Sequence, residues 1–304
     1  MVGADFFIIL YLMIPNYPDF APISWEMQED LHPRLVMLKD GISEFTFANL
    51  FLFREKYGYT LSTLPDMHLV ISGRDDGGRR FFMLPCGTSD LKLIEDLFKS
   101  HDYLKNFPES AVESFRIDLE KNGYEVHEDR DNFDYLYMRK DLAHLSGKKL
   151  HKKRNLVNAF INNYNYEEKW ISDENRKDTL AVLDKWREGR EEAGDYDAAR
   201  ESIETMDRFN LKGCLTYVDG QPAAYSLGEP LVHGRCFAIH FEKALSEYKG
   251  IYQFVNRSFA SMLPRHYVHI NREQDLGNPG LRQAKMSYRP CGFVKKYKVY
   301  PSSR

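Results

Sequence analysis

The chain has 304 residues, of which 43% are hydrophobic and 14% aromatic, and this is enough apolar material for two medium-sized domains. Its 42 Lys and Arg residues against 45 Asp and Glu residues give a net charge of -3, so no global positive field draws it onto nucleic acid or anionic lipid. Any such contact has to use a local patch.

The cysteines and histidines do not have the spacing of a metal site. The four cysteines are far apart and never form a CxxC pair, which argues against a thiolate zinc site and indicates a reducing, cytoplasmic compartment. His240 and His266 are interpreted as packed polar residues. The sequence therefore predicts no bound metal.

An apolar run occupies residues 7–14. It is too short to span a bilayer, which takes about 20 apolar residues. Asp5 and the missing cationic start argue against a signal peptide. We expect a buried strand here or an overextended start with Met13 as the initiator, and we expect no transmembrane segment.

Two hairpins are predicted at corresponding places in the two halves of the chain. Residues 67–85 have the pattern of strand, turn and strand, and residues 213–227 repeat it; each turns at an Asp-Gly step. The repeat suggests an internal duplication. The first half is further predicted to contain helices at 90–99 and 109–122 and strands at 124–127 and 133–139.

A helix is predicted between the halves, at residues 146–164. Its apolar stripe is formed by Leu150, Val157, Phe160, Ile161 and Tyr164. Lys153 and Arg154 follow Leu150 by three and four positions, so they are expected to point inward. Lys148 and Lys152 are expected to face solvent.

The second half is predicted to alternate helices and strands. The helices are expected at 173–192, 196–209 and 250–263, and the strands at 235–242, 265–271 and 293–300. Together with the hairpin, this order indicates an α/β layer architecture.

A short helix is predicted to follow the strand at 265–271. Asn278 suits the N-cap and Pro279 the first helical position. Lys285 then falls on the inward face of the helix, together with Tyr288. An inward cation needs a nearby anion, and Glu273 and Asp275 are the local candidates.

Five blocks of the sequence resemble the DUF2156 family, which is related to the C-terminal, catalytic domain of lysyl-phosphatidylglycerol synthase. The blocks are KLHKKRN (149–155), FEKA (241–244), YKGIYQ (248–253), NREQDLG (271–277) and LRQAKMSYRP (281–290). The resemblance implies an α/β (α+β) fold with two tandem domains of the GCN5-related N-acetyltransferase type. We expect an N-terminal domain at 13–145, a connecting helix at 146–164, and a C-terminal domain with the site at 165–304.

The same resemblance implies an acyltransferase. The donor is expected to be aminoacyl-tRNA, whose acceptor end would bind a local basic patch, and the acceptor a lipid or a small polar molecule. An N-acyltransferase that uses acyl-CoA is the first alternative, and a non-catalytic ligand-binding protein is the second. In acetyltransferases a glycine-rich loop binds the coenzyme A pyrophosphate. Gly250 fits that loop here, but Glu247 and Tyr252 depart from its pattern.

The site is expected where the strands ending near Glu242 and Arg272 separate. Lys153, Arg154 and Lys285 are expected to converge there with Glu242, Glu273 and Asp275 around one cleft. Glu242 or Glu273 is predicted to act as the base, Arg272 and Lys285 to hold a phosphate or an oxyanion, and Tyr252 or Tyr288 to return a proton. Substrate binding is assigned to Lys153, Arg154, Asn155, Lys243, Gly250, Tyr252, Asn271, Asp275 and Arg282. The alternative is an ion-pair network that only stabilises the fold.

Overall fold

The computed structural model describes residues 14–88 and 90–302, so residues 7–13 of the N-terminal apolar run lie outside the described residues. The chain divides into two compact units. The first runs to Phe133 and includes the segment from Val294 onward, and the second is Asp134–Phe293. Each unit is built around one seven-stranded sheet.

The sheet of the first unit has the strand order β1-β2-β3-β4-β5-β14-β6. Its strands are β1 (Ala21–Pro22), β2 (Thr60–Thr63), β3 (Leu69–Arg74), β4 (Arg80–Met83), β5 (Tyr103–Pro108), β6 (Tyr124–Glu128) and β14 (Lys296–Pro301). The hairpin expected at 67–85 is confirmed, because β3 and β4 pair antiparallel around a turn at Asp75. β4 and β5 are parallel.

The first unit also contains α-helices. They are α1 (Gln28–Val36), α2 (Phe47–Leu52), α3 (Arg54–Tyr57), α4 (Leu91–Phe98) and α5 (Glu109–Lys121). The apolar sides of α4 and α5 pack on one sheet face, where Ile94, Leu97 and Phe115 contact a cluster that includes Phe82 and Leu104. The Asp90 side chain caps α4 by accepting from the amides of Lys92 and Leu93.

The sheet of the second unit has the order β13-β7-β12-β11-β10-β9-β8. Its strands are β7 (Asp134–Met138), β8 (Tyr166–Trp170), β9 (Lys212–Val218), β10 (Gln221–Leu231), β11 (Cys236–Ala244), β12 (His269–Asn271) and β13 (Gly292–Val294). The hairpin expected at 213–227 is confirmed by the antiparallel pairing of β9 with β10. β11 and β12 form a parallel pair.

The helices of this unit are α6 (Arg139–His144), α7 (His151–Asn163), α8 (Arg176–Arg187), α9 (Tyr196–Glu204), α10 (Ile251–Met262) and α11 (Pro279–Met286). Phe160 of α7 stacks on Phe254 of α10 with ring centroids 4.4 Å apart. The expected cap of α11 is confirmed, since the Asn278 side chain accepts from the amide of Leu281 at 3.0 Å. In the described residues no helix is both long and apolar enough to cross a membrane.

The unit boundaries differ from the expected domains. β7 was assigned to the N-terminal domain, but it pairs in the second sheet with Ile270 opposite Tyr137. β14 was assigned to the C-terminal domain, but it pairs with β5 and β6 in the first sheet. The helix α7 lies within the range expected for the connecting helix, and it belongs to the second unit. Periodicity predicts where strands occur, but it does not specify their distant partners.

Candidate active site

Two parallel strands of the second unit separate after a short stretch of pairing. β11 pairs with β12 only from Cys236 to Ala238, and then runs on to Ala244 with β10 as its partner. Glu242 lies on this extension beyond β12, and Arg272 is the first residue after β12. Backbone separation of this kind is where α/β sheets commonly hold ligands, because side chains from two strands face one gap.

A β-bulge sets the direction of Glu242. Leu227 pairs with Phe241 and Gly228 with Ile239, so His240 is an extra residue without a partner in the register. Ile239 belongs to the core beneath α10, and the extra residue brings Glu242 to that same side. Gly228 is needed opposite the bulge, because a Cβ there would lie 1.8 Å from the carbonyl oxygen of Ala238.

Arg272 is the centre of the cluster. Its guanidinium donates to Glu242 Oε1 at 2.8 Å, and both side chains are largely buried, with exposures of 14% and 11%. The amide oxygen of Asn256 accepts from Arg272 Nε at 3.2 Å and from Nη1 at 3.1 Å. Burial alone would lower the pKa of Arg272, but the Glu242 charge reverses this and raises it. Ser226 donates to the other oxygen of Glu242 at 3.3 Å.

Lys153 and Arg272 both lie against the ring of Tyr288. Lys153 Nζ is 4.3 Å and the Arg272 guanidinium carbon 5.1 Å from the ring centroid. Burial raises the pKa of Tyr288 to about 12, so its hydroxyl is protonated at neutral pH. Burial and the nearby Arg272 charge lower the pKa of Lys153. Among the described residues, no carboxylate lies within ion-pair distance of Lys153.

Lys285 points inward as predicted, but its partners are backbone carbonyls. Its ammonium donates to the carbonyl oxygens of Arg272 at 2.6 Å and Glu273 at 3.1 Å, and also to that of Gln274. An ammonium group has three protons, so these bonds use all of them. Burial and the Arg272 charge lower the pKa of Lys285 to about 8. Lys285 therefore holds the loop that carries Arg272, and its expected pairing with a local carboxylate is wrong.

Glu273 belongs to a buried triad that the sequence did not reveal. His240 lies between two carboxylates, with Nδ1 2.7 Å from Glu273 Oε1 and Nε2 3.0 Å from Glu229 Oε1. Burial alone would lower the pKa of His240, but these two hydrogen bonds raise it to about 10. The imidazole is therefore cationic at neutral pH. Its packed position was predicted, whereas its two partners depend on the bulge and on β10.

Asp275 and Arg282 form a separate pair. The guanidinium donates to Asp275 from Nε at 2.8 Å and from Nη2 at 2.7 Å, and Tyr135 donates at 2.6 Å. Burial would raise the pKa of Asp275, but the hydrogen bonds from Arg282 and Tyr135 hold it well below its usual range. The expected pairing of Asp275 with Lys153, Arg154 or Lys285 is therefore wrong, since a neighbouring arginine already binds it.

Arg154 and Asn271 stabilise backbone turns. Arg154 donates to the carbonyl oxygens of Leu145 at 2.6 Å and Gly147 at 3.3 Å, because both residues have left-handed φ angles that turn the chain before α7. The prediction that Arg154 joins the carboxylates is therefore wrong. Asn271 accepts from the amide of Glu273 at 2.8 Å and donates to Asp134 at 3.0 Å.

The remaining predicted residues lie around these groups. Lys243 donates to both carboxylate oxygens of Asp195, at 2.6 and 2.7 Å, and its ammonium is 4.1 Å from the ring centroid of Trp186. It points away from Glu242, because successive strand residues alternate faces. Burial raises the pKa of Tyr252, whose hydroxyl is hydrogen-bonded to Trp186. Asn155 is exposed on α7.

Gly250 has a packing role at the start of α10. Its φ is 88°, and a Cβ would lie 2.2 Å from the carbonyl oxygen of Leu156. Only glycine allows α10 to approach α7 this closely. Glu247, which departs from the coenzyme A pattern, forms an exposed ion pair with Lys185 at 2.8 Å. In residues 14–88 and 90–302, His, Cys, Asp and Glu form no group of three or more that could hold a metal ion.

Comparison with known proteins identifies the family. Residues 36–300 match the family described as phosphatidylglycerol lysyltransferase, C-terminal. A conserved protein of unknown function from Bacteroides thetaiotaomicron is 31% identical, with a TM-score of 0.81 over 95% of this chain and 100% of that one.

Two further structures share the fold at low sequence identity. The C-terminal domain (DUF2156) of a protein assigned as a lysylphosphatidylglycerol synthetase from Agrobacterium fabrum has a TM-score of 0.62 at 12% identity, over 92% of this chain and 93% of that one. The structure of L-PGS from Bacillus licheniformis has a TM-score of 0.57 at 16% identity, over 88% and 94%. The chain belongs to the family of the phosphatidylglycerol lysyltransferase C-terminal domain, as its NREQDLG and LRQAKMSYRP blocks indicate.

Proposed function

We propose that the second unit catalyses acyl transfer, with an aminoacyl group as the cargo, aminoacyl-tRNA as the donor, and a lipid or small polar molecule as the acceptor. Family membership supports the reaction class. The observation that carries the site is the arrangement of Lys153, Arg272 and Glu242 around Tyr288. In this arrangement Lys153 is a cation without a carboxylate partner among the described residues. Glu242 is a carboxylate that Arg272 holds in place.

Each group has a role in the proposed reaction. The acceptor oxygen or nitrogen attacks the ester carbonyl, a new bond to the carbonyl carbon forms, and the ester bond to the donor ribose breaks. Glu242 takes the acceptor proton, and the protonated Tyr288 hydroxyl supplies one to the departing ribose oxygen. Lys153 holds the negative charge on the carbonyl oxygen while the tetrahedral intermediate exists. Transfer of the Glu242 proton to Tyr288 restores both groups.

The two units are also proposed to be tandem folds of the GCN5-related N-acetyltransferase type. In each sheet one parallel pair meets over only two or three residues and then separates, namely β4 with β5 and β11 with β12. In each unit the first strand of that parallel pair is also the second strand of an antiparallel pair, β3 with β4 and β10 with β11. A repeated arrangement of this kind favours duplication over chance.

A donor competition experiment tests the proposed reaction. Purified protein is incubated with lipid extract and either a charged tRNA pool or a set of acyl-CoA esters, and consumption of each donor is followed. We expect deacylation of tRNA that depends on an acceptor. Consumption of acyl-CoA alone would mean that the donor is acyl-CoA and not aminoacyl-tRNA. Consumption of neither donor would favour a ligand-binding role.

Lys153→Met is expected to lower kcat/KM about 100- to 1,000-fold, because it removes the charge that holds the oxyanion. Lys152→Met is the matched control, since Lys152 is an exposed lysine on the same helix. Lys153→Arg should retain part of the activity if charge is what matters. Equal rates for Lys153→Met and Lys152→Met would remove Lys153 from the mechanism.

A further inference from the structure

A second cluster of cations lies in the first unit, on the neighbouring strands β5 and β14. β4 pairs with β5 only at Phe81 and Phe82, opposite Tyr103 and Leu104, so the rest of β5 extends beyond this pair. β5 also carries an irregularity toward β14, where the register shifts between Tyr297 and Val299. Asn106 adopts a left-handed φ of 54° at this point, which bends the strand next to Lys105.

Three lysines and two carboxylates meet beside this bend. Lys296 is fully buried and pairs with Glu44. Lys298 pairs with Asp129 at 3.0 Å. Lys105 lies among them and feels the charges of all four. Lys296 and Lys298 therefore each have a carboxylate partner.

Lys105 is the member of the cluster that has no carboxylate of its own. Its ammonium is 4.8 Å from the ring centroid of Tyr57 and 4.7 Å from that of Phe81. No described carboxylate lies within 4.0 Å of it. Burial, together with Lys298 and Lys296, lowers its pKa, while Glu44 and Asp129 oppose that shift only partly. The residue as a whole is half-buried.

A purely structural cation would not be placed this way. Burying a charge without a partner costs free energy, and a methionine of similar length would fill the same space between Tyr57 and Phe81 at no electrostatic cost. The side-chain oxygen Oδ1 of the adjacent, fully buried Asn106 also accepts no hydrogen bond from the described protein groups. Two neighbouring residues thus have polar groups that the fold itself does not satisfy.

We propose that Lys105 is the main contact of an anion-binding site in the first unit, separate from the proposed transfer reaction, and that the site takes an oxyanion group with a single negative charge, of the carboxylate or phosphodiester type. The single positive charge of the Lys105 ammonium matches one negative charge. The rings of Tyr57 and Phe81 and the pairs Lys296–Glu44 and Lys298–Asp129 fix the position of the ammonium, so binding requires little reorganisation.

The test measures thermal unfolding with sodium acetate or dimethyl phosphate as the probe, against sodium chloride at equal ionic strength. A ligand that binds only the folded state raises Tm. We expect a rise of about 2–5 °C for wild type at a saturating probe concentration and no rise for Lys105→Met. Without probe, Lys105→Met should unfold at the same or a higher temperature than wild type. If only one probe raises Tm, that probe shows whether the site binds a carboxylate or a phosphodiester.

Lys56→Met is the matched control, because Lys56 also lies over the Tyr57 ring, at 5.2 Å, but is 45% exposed and close to Asp76. It should keep the full probe effect. An NMR titration of labelled lysines in wild type gives an independent measurement, since bound anion should raise the pKa of Lys105. The proposal is overturned if neither probe moves that pKa, or if both probes stabilise wild type and Lys105→Met equally.

Discussion

Arg272 in the second unit and Lys105 in the first occupy comparable places, since each lies where two parallel strands stop pairing. Their surroundings differ. Arg272 donates to Glu242 at 2.8 Å and faces the Asn256 amide, so its charge is neutralised within the protein. Lys105 has two aromatic rings and two further lysines around it, but no carboxylate within 4.0 Å in the part of the chain that the structure describes. A charge that is paired within the protein, such as that of Arg272, stabilises the fold. A charge without such a partner, such as that of Lys105, is available to a ligand.

The proposed active site contains both kinds of charge. Arg272 and Lys285 have protein partners for their donors, whereas the contacts of Lys153 with described residues are with the Tyr288 ring and, as repulsion, with Arg272. Satisfied cations are expected to affect stability when they are replaced. Cations without a partner are expected to affect binding or rate instead. The following predictions test the satisfied group, from the largest expected effect to the smallest.

His240→Gln should have the largest effect on stability, because it leaves the buried carboxylates of Glu229 and Glu273 without the cation between them. We expect a loss of roughly 3–5 kcal/mol in the free energy of unfolding near pH 6.5. The folded-state pKa is about 10 against 6.5 in the unfolded chain, so the stabilisation is fully present below pH 6.5 and is lost as pH rises through 10. Urea unfolding at several pH values should therefore show a deficit that narrows toward pH 10.

The exposed His266 supplies the control for this experiment. His266→Gln should change the free energy of unfolding by no more than about 0.5 kcal/mol at any of these pH values. A deficit for His240→Gln that stayed constant between pH 6.5 and pH 10 would mean that the imidazole is neutral in the folded protein. The two carboxylates would then share a proton, and the triad would have a different charge.

Arg272→Met should cost about 3 kcal/mol, since it leaves Glu242 as a buried carboxylate without its cation, though still with the hydrogen bond from Ser226. Replacing both members of the pair, as Arg272→Met with Glu242→Gln, should recover at least half of that loss. A double-mutant cycle measured by urea unfolding gives the coupling energy. If the losses of the two single variants add up to the loss of the double variant, the pair is not coupled. The contrast between Arg272 and Lys105 would then be wrong.

The sequence predicted the elements around the site better than it predicted the partners of the charged residues. The Asn278 cap and the inward direction of Lys285 are local properties, and both are confirmed. Lys285 was expected to meet a carboxylate, but a helical pattern gives only the direction of a side chain and not the acceptor that it reaches. The acceptors here are carbonyls of a loop that includes a left-handed Glu273, with φ of 56°.

The bulge at His240 explains why the triad was missed. Simple alternation would place Ile239 and Glu242 on opposite faces of β11, and it gives no sign of an extra residue between them. Gly228 was the available signal, because glycine inside a strand often marks a bulge or a close backbone approach. The exchange of β7 and β14 between the sheets has no comparable local signal, since it depends on pairing between distant segments.

Lys285→Met should have the smallest effect of the three, a loss of about 1–2 kcal/mol at pH 7, because three carbonyls lose a donor while a costly buried charge also disappears. The folded-state pKa of Lys285 is about 8 against 10.5 for the free side chain, so the unfolded chain binds its proton more tightly. Wild type should therefore gain stability relative to Lys285→Met as pH rises from 8 to 10.5, in the direction opposite to His240. Lys249→Met, which replaces a lysine near the start of α10, is the control and should show no such trend. Unfolding curves in which Lys285→Met and wild type stay parallel across this range would show that the Lys285 ammonium keeps its ordinary pKa, and its assignment as a buried, carbonyl-bound cation would then be wrong.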